Sequence, residues 1–411
     1  MNSPLTLEML TKAVSGGAVA IRRRLRLQPA GGPGDKVFPP TYEGGEYAKE
    51  TRIIDGAPLP CVLLDSVQSQ ANRMELALLA AHRAKQIQIP VVSVDFAKAG
   101  LTEVGQITSL EAPHRIADAI LRDSMLGAVR FRAKAPTLSS AEGQVLDTVS
   151  AANATGLFDL CPTALVFGMW DSTGPRGGLG VKFQRALVSE VVGVGIETGV
   201  KPASRLDPLG IQLNAGPLYL AKDGGWTIDD KSAVQDKGKA VKLGKEGKPS
   251  EANHGNVTPS LRNEKGQLHH GGATMTYALQ TAVLSLPALR RLHFPITNKT
   301  NTDVAARTVL AALALTGVAL SIEQGCDLRS RCLLVPEAGH PSAWELVAGD
   351  GSVTTFTLDG AGANALLKAS VAAATSAGLP WRSEDLILTP SPGLAALVKK
   401  SRDLALQNPE A

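Results

Sequence analysis

The stretch LLDSVQSQANRME, residues 63–75, reads as the opening of a helix. Asp65 can cap it with Gln68 at the capping-box position, and Val67, Ala71, Met74 and Leu78 then recur at spacings of four and three, the period of an amphipathic helix. That apolar face is expected to pack inward. Ser66, Gln70 and Arg73 form a polar stripe beside it, so one helix can present them together. Further on, residues 89–96 are a strand candidate of β-branched character, bounded by Pro90 near its start and Gly100 past its end. Residues 186–196 alternate and are rich in Val, the pattern of a half-buried strand, and they follow the glycine-rich loop GPRGGLG at 174–180. On the amino-terminal side, residues 7–27 read as a helix carrying Arg22, Arg23, Arg24 and Arg26 at its end. The Pro/Gly-rich run GGPGDKVFPPTY at 31–42 reads as a loop.

Between residues 223 and 255 the periodicity breaks down. Lys231, Lys237, Lys239, Lys242, Lys245 and Lys248 are interleaved with glycines, and the segment reads as a flexible insertion. Periodicity returns at 276–292 and in a long helix after Asp303. With no internal repeat and no clean boundary, residues 1–411 read as a single elaborated domain.

Composition narrows the class. A chain of 411 residues with 44% hydrophobic and 19% charged side chains can bury a substantial core. Its net charge of +4 is small for this length, so a nucleic-acid reading has to rest on where Lys and Arg lie. Cys61, Cys161, Cys326 and Cys332 contain no Cys-x-x-Cys pair and are too sparse for a disulfide scaffold, which fits free thiols in a reducing cytoplasm. No secretory signal is read at the amino terminus. The uncharged stretch at 308–322 falls short of the roughly 18 to 20 residues that span a bilayer and reads as a buried helix, so no membrane partner is expected.

Enzyme motifs find little support. GPRGGLG lacks the Gly-Lys-Ser/Thr ending of a phosphate-binding loop and the spacing of a dinucleotide fingerprint, so no cofactor is expected. His269 and His270 stand side by side without a His-Glu-x-x-His or a Cys pair to complete a metal site. No serine sits in Gly-x-Ser-x-Gly. Asp35 is the one carboxylate in a loop resembling a catalytic setting, and a solvated turn residue is its plainer reading. What stands out instead are four stretches combining Arg or Lys with Gly, Ser, Asn and Gln, the residue types that contact phosphate and sugar. They are residues 63–75; FGMWDSTGPRGGLGVKFQRALVSEVVG at 167–193; GGPGDKVFPPTY with its preceding arginines; and HGNVTPS at 254–260, followed by GGATMTYALQTAVLSLPALRRLHF at 271–294. Aromatic residues are only 4% of the chain, so backbone contacts should dominate any RNA binding.

At these residues the chain resembles the RAMP-superfamily backbone subunit of type I CRISPR interference (Cascade) complexes, subtype G, formerly U. The resemblance covers most of the chain and is carried by LLDSVQSQANRME and TGPRGGLGVKFQRALVSE. It implies an α+β fold with an RNA-recognition-like (ferredoxin-like) βαββαβ core and inserted thumb segments. It also implies a non-catalytic subunit whose copies polymerise along a CRISPR guide RNA, beside other Cascade subunits, and present the guide to target DNA. Specificity would then belong to base pairing while the protein grips backbone and shape. The residues expected to contact RNA are Arg22, Arg23, Arg24, Lys36, Ser66, Gln68, Gln70, Asn72, Arg73, Arg176, Lys182, Arg185, Lys237, Lys239, Lys242, His254 and Asn256. Each has a plainer reading: a wet helix face, a turn that needs glycine, or, for Arg290 and Arg291, an ion pair at a subunit contact. The rivals are a target-RNA nuclease using Asp35 and a purely structural assembly protein. The Lys-rich insertion is the candidate thumb. Trypsin should cut the free subunit first within residues 231–248 and cut there markedly more slowly once guide RNA and a neighbouring copy are present; equal cleavage in both states identifies a solvated linker.

Overall fold

The computed structural model describes residues 3–172, 180–262, 266, 268 and 270–407. Helix α1 (Leu7–Ser15) is capped by Thr6, whose hydroxyl accepts from the Met9 N–H at 3.2 Å, and it stops at Gly16. The arginines expected on the end of a longer helix lie instead on strand β1 (Ala18–Pro29). Two glycines in succession disfavour helix propagation. Beyond them Ile21, Leu25 and Leu27 are buried at even separations, the period of a strand.

The chain continues through a hairpin of β2 (Lys49–Ile54) and β3 (Ala57–Asp65) into α2 (Val67–Arg83), then through β4 (Leu187–Val194) and β5 (Tyr277–Ser285) to α3 (Thr302–Glu323). It ends its main sheet with β6 (Cys326–Arg329), β7 (Cys332–Pro336), β8 (Trp344–Ala348) and β9 (Val353–Phe356), ahead of helix α4 (Gly360–Ser376). β1, α2, β4, β5, α3 and β7 follow the order βαββαβ. The four strands stand as β4-β5-β1-β7 with antiparallel neighbours, so the second, third, first and fourth strands lie side by side in the ferredoxin-like manner. The fold is therefore α+β, as expected. β3 and β2 extend the sheet beyond β4. On the far edge of β1, β8 pairs with its first half and β7 with its last three residues.

Helices cover one face of this sheet. α2 packs on α3 and β4, and α3 packs on α1, α4 and β5. The cap of α2 is Ser66, whose hydroxyl accepts from Ser69 N–H at 3.2 Å, one residue later than expected, because Asp65 is still in β3 and buried. α3 is longer than the uncharged stretch read from the sequence. By length and composition it could cross a membrane, but Val309 to Leu315 and Val318 to Leu320 are buried inside the protein among the other helices and the sheet. The cysteines are free thiols, and burial pushes the thiol of Cys326 up to about 12 and that of Cys332 to about 11.

A second, five-stranded sheet has the order Gln106–Thr108, Val92–Asp95, Leu386–Pro390, Ser124–Leu126, Val129–Arg130. The strand expected at 89–96 is its second member. A buried ion pair ties α2 to this region: the Arg115 guanidinium donates to both Glu75 oxygens at 2.6 and 2.7 Å and to the Gly168 carbonyl at 3.0 Å. Burial pushes the Glu75 carboxyl up to about 7 against the opposing pull of Arg115. Such a pair is costly to break from one side. Arg115→Met should lower stability in urea unfolding by about 3–5 kcal/mol, and adding Glu75→Leu should recover much of that loss.

Candidate nucleic-acid interface

The pairing of β1 with β5 sets Arg22 opposite Val283, Arg24 opposite Thr281 and Arg26 opposite Leu279. Along β5 the side chains alternate without a break between buried even positions, which face the helices, and half-buried odd positions on the other face. Arg22, Arg24 and Arg26 therefore project from the face that the helices leave uncovered, in a row down the central strand. Arg23 points the other way. It is half-buried, its Nε donates to Ser342 Oγ at 3.1 Å, its guanidinium lies 5.7 Å from the Trp344 ring centre, and burial lowers its pKa.

Most cations on the open face are already matched. Arg22 pairs with Glu345. Arg26 forms an ion pair with Glu337 at 2.7 Å and stacks 3.9 Å over the Tyr277 ring. Arg52 of β2 reaches across to Glu190 of β4 at 2.6 Å. Among the described residues Arg24 has no carboxylate partner and is exposed. It lines a cleft of about 360 Å³ with Arg26, Asp55, Tyr277, His340 and Glu345. Arg52 and Tyr277 escaped the sequence reading. The alternation of β5 is the only signal for Tyr277 and becomes informative once the partner strand is known, while Arg52 lies on β2 and is placed by its reach to Glu190.

The polar stripe of α2 divides. Gln68 and Asn72 are exposed, and Ser66 serves as the cap. Gln70 is 3% exposed and committed internally: its amide donates to Asp65 at 2.7 Å, and its oxygen accepts from Ser189 at 3.1 Å and Gln280 at 2.8 Å. Arg73 binds Asp65 at 3.0 Å and the carbonyls of Asp327 and Leu328. These two hold helix to sheet and are not presented with their neighbours.

Residues 195–276 join β4 to β5, so the Lys-rich segment read at 223–255 lies within a longer connection between the second and third core strands. The ladders of this connection are short: Ala203–Arg205 pairs with Val257–Ser260, Tyr219–Leu220 with Trp226–Thr227, and Gln235–Asp236 with Lys239–Ala240. Carboxylates here are used as turn ties. Glu251 accepts from the backbone N–H groups of Glu246, Lys245, Lys248 and Gly247, and these bonds lower its pKa; Asp229 is likewise lowered by Ser232 and the Lys231 N–H. Lys237, Lys239 and Lys242 are exposed, with no carboxylate partner among the described residues. His254 rests edge-on against Trp226 and Asn256 accepts from Asp207 N–H at 2.7 Å, so both help to shape the loop. Lys36 is half-buried, its Nζ lying where a side chain on Gly199 would be. Asp35, exposed in its loop, accepts from Lys36 N–H at 2.9 Å. Lys182 is exposed on a hairpin, whereas Arg185 is half-buried and its pKa is lowered by burial and by Arg115. Arg176, residues 173–179 of the glycine-rich loop, and His269 lie outside the described residues.

Together these features define an α+β protein with a ferredoxin-like core, an open sheet face centred on an arginine that has no carboxylate partner among the described residues, and an insertion with exposed lysines. Residues 21–198 match a protein family described as CRISPR-associated protein GSU0053, which marks the chain as CRISPR-associated. The matched segment runs from β1 to just past β4 and ends where the connection from β4 to β5 begins. No curated protein matches the chain.

Gln70 and Arg24 should separate cleanly by experiment. Gln70→Ala leaves buried groups unsatisfied and should cost about 1–3 kcal/mol in chemical denaturation; Arg24→Ala should change stability by less than about 0.5 kcal/mol.

Proposed function

We propose that this chain is a non-catalytic RNA-binding subunit that coats a CRISPR guide RNA in several copies within a type I interference complex and presents it to target DNA. The observation that carries this reading is the row Arg22, Arg24, Arg26 on the helix-free face of the sheet, with Arg24 exposed and unmatched by any carboxylate among the described residues. A guanidinium held this way supplies charge and a planar donor fork to a phosphate. The matched guanidiniums beside it would exchange Glu345 and Glu337 for phosphate. The match to a CRISPR-associated family supplies the context, and the outward lysines of the insertion add a second cationic surface for the guide or its neighbouring copy. The nuclease rival rests on Asp35 alone, whose carboxylate caps its own turn.

Co-expression with a guide RNA, followed by measurement of mass and RNA content, tests assembly and ligand together. RNA affinity should fall linearly in log–log plots against salt, two unrelated RNAs of equal length should bind alike, and Arg24→Ala should reduce the salt slope by about one. Strong discrimination between the two RNAs would mean readout of base edges and overturn the backbone grip. Asp35→Ala should leave assembly intact and abolish no cleavage of RNA or DNA; metal-dependent cutting lost in that variant would move the chain to the nuclease reading.

A further inference from the structure

Outside the open face, the hairpin that precedes β4 carries an exposed aromatic ring and a cation, and borders a pocket with a second cation, neither of them with a carboxylate partner among the described residues. Met169–Trp170 pairs with Lys182–Phe183, so that Met169 faces Phe183 and Trp170 faces Lys182. Alternation decides the rest: Met169 and Phe183 are buried, while Trp170, 54% exposed, and Lys182 turn outward on the same side, with Lys182 Nζ 5.6 Å from the indole centre. The next residue anchors the stem. Asp171 N–H donates to the Val181 carbonyl at 3.0 Å, and its buried carboxylate accepts from Arg132 at 2.7 Å, a guanidinium that also binds Asp147 at 2.8 Å. An exposed ring on a two-rung hairpin is thus held by a buried ion cluster.

Beside it lies a pocket of about 490 Å³ with Lys182, Gln184 and Arg291 on its walls and Leu165, Phe183 and Leu292 beneath. No carboxylate lines it, and neither Lys182 nor Arg291 has a carboxylate partner among the described residues. The exposed indole stands beside Lys182, which in turn shares the wall of this apolar-floored pocket with Arg291, so the site offers one surface to a planar π-system and an adjoining one to an anion.

We propose that this hairpin is a nucleotide subsite for single-stranded RNA, in which Trp170 stacks one base and Lys182 and Arg291 hold the adjoining phosphate. It rests on the RNA-binding reading and departs from it at one point: here a base, and not only backbone, is gripped. Stacking on an exposed aromatic tolerates any base, because every base has a π-face. An acidic peptide would use the two cations and leave the indole idle.

The full-length protein is titrated with a fluorescently labelled single-stranded oligoadenosine and with an abasic ribose–phosphate oligomer of equal length. Trp170→Ala should weaken oligoadenosine about tenfold and leave the abasic oligomer unchanged, whereas Trp170→Phe should retain most of the affinity. Lys182→Glu with Arg291→Glu should weaken both ligands, with circular dichroism confirming that each variant is folded. If Trp170→Ala binds oligoadenosine like the parent while Arg24→Ala lowers its salt slope, the RNA-binding reading stands and the subsite falls. Equal weakening of both oligomers by Trp170→Ala reduces the ring to a support for the hairpin and overturns stacking. Absence of RNA binding by the parent protein removes both readings, and polyglutamate binding with the same dependence on Trp170 reassigns the pocket to an acidic protein partner.

Discussion

The register of β1 against β5 is the constraint on which the rest of the molecule depends. From Ala20 opposite Ser285 to Leu27 opposite Ala278, the pairing assigns every residue of the central strand to one face or the other. Because side chains alternate strictly, a slip of one residue would send Ile21, Leu25 and Leu27 into solvent and three arginines into the core. The apolar residues under the helices therefore determine where the arginines go. Asp65, Gln70, Ser189 and Gln280 reinforce this register from inside, since their hydrogen bonds join the end of β3, the start of α2, β4 and β5 in one arrangement. A buried network of this kind is stabilising only while every member is satisfied, so it selects one position of the helix on the sheet.

Charge is sorted by the same logic. The chain carries 42 basic and 38 acidic residues, a balance that says little by itself. In the folded molecule many carboxylates are occupied with internal tasks: Glu75 with Arg115, Asp147 and Asp171 with Arg132, Asp65 with Arg73, and Glu251 with four backbone amides. Arg24, Lys182, Arg291 and, in the insertion, Lys237, Lys239 and Lys242 remain without carboxylate partners among the described residues, whereas Lys248 pairs with Glu246. A nearly neutral composition thus becomes an unequal surface, because backbone N–H groups in tight turns demand acceptors and lysine, which has none to give, is left outside.

The insertion lies in the connection between the second and third core strands, where additional chain can be accommodated without interrupting any ladder of the main sheet. Loop closure there costs little more for eighty residues than for twenty, since the entropy grows only with the logarithm of length. The family match ends at the same point, and the strands that complete the sheet, β5 and β7, follow after it. Their pairing partner β1 lies hundreds of residues away in sequence.

By itself the sequence determined elements whose cause is local. The α2 face of Ala71, Met74 and Leu78, the Val-rich strand β4 and the buried character of α3 are all written in short-range periodicity and composition, and the structure contains them. Residues 7–27 read locally as one helix because a run of arginines hides the alternation of Ile21, Leu25 and Leu27; only pairing with β5 makes a strand the better state. The sequence could also nominate Gln70, Arg73 and Arg24 as a set of polar groups, but it could not separate them. Tertiary structure buried Gln70 at the junction of four segments, tied Arg73 to Asp65, and left Arg24 open. It also set Lys182 beside Trp170 on one side and on the wall of a pocket shared with the distant Arg291 on the other. Propensity and period act over a few residues, whereas burial and pairing are decided by contacts between segments far apart, and the chemistry of each side chain follows from those contacts.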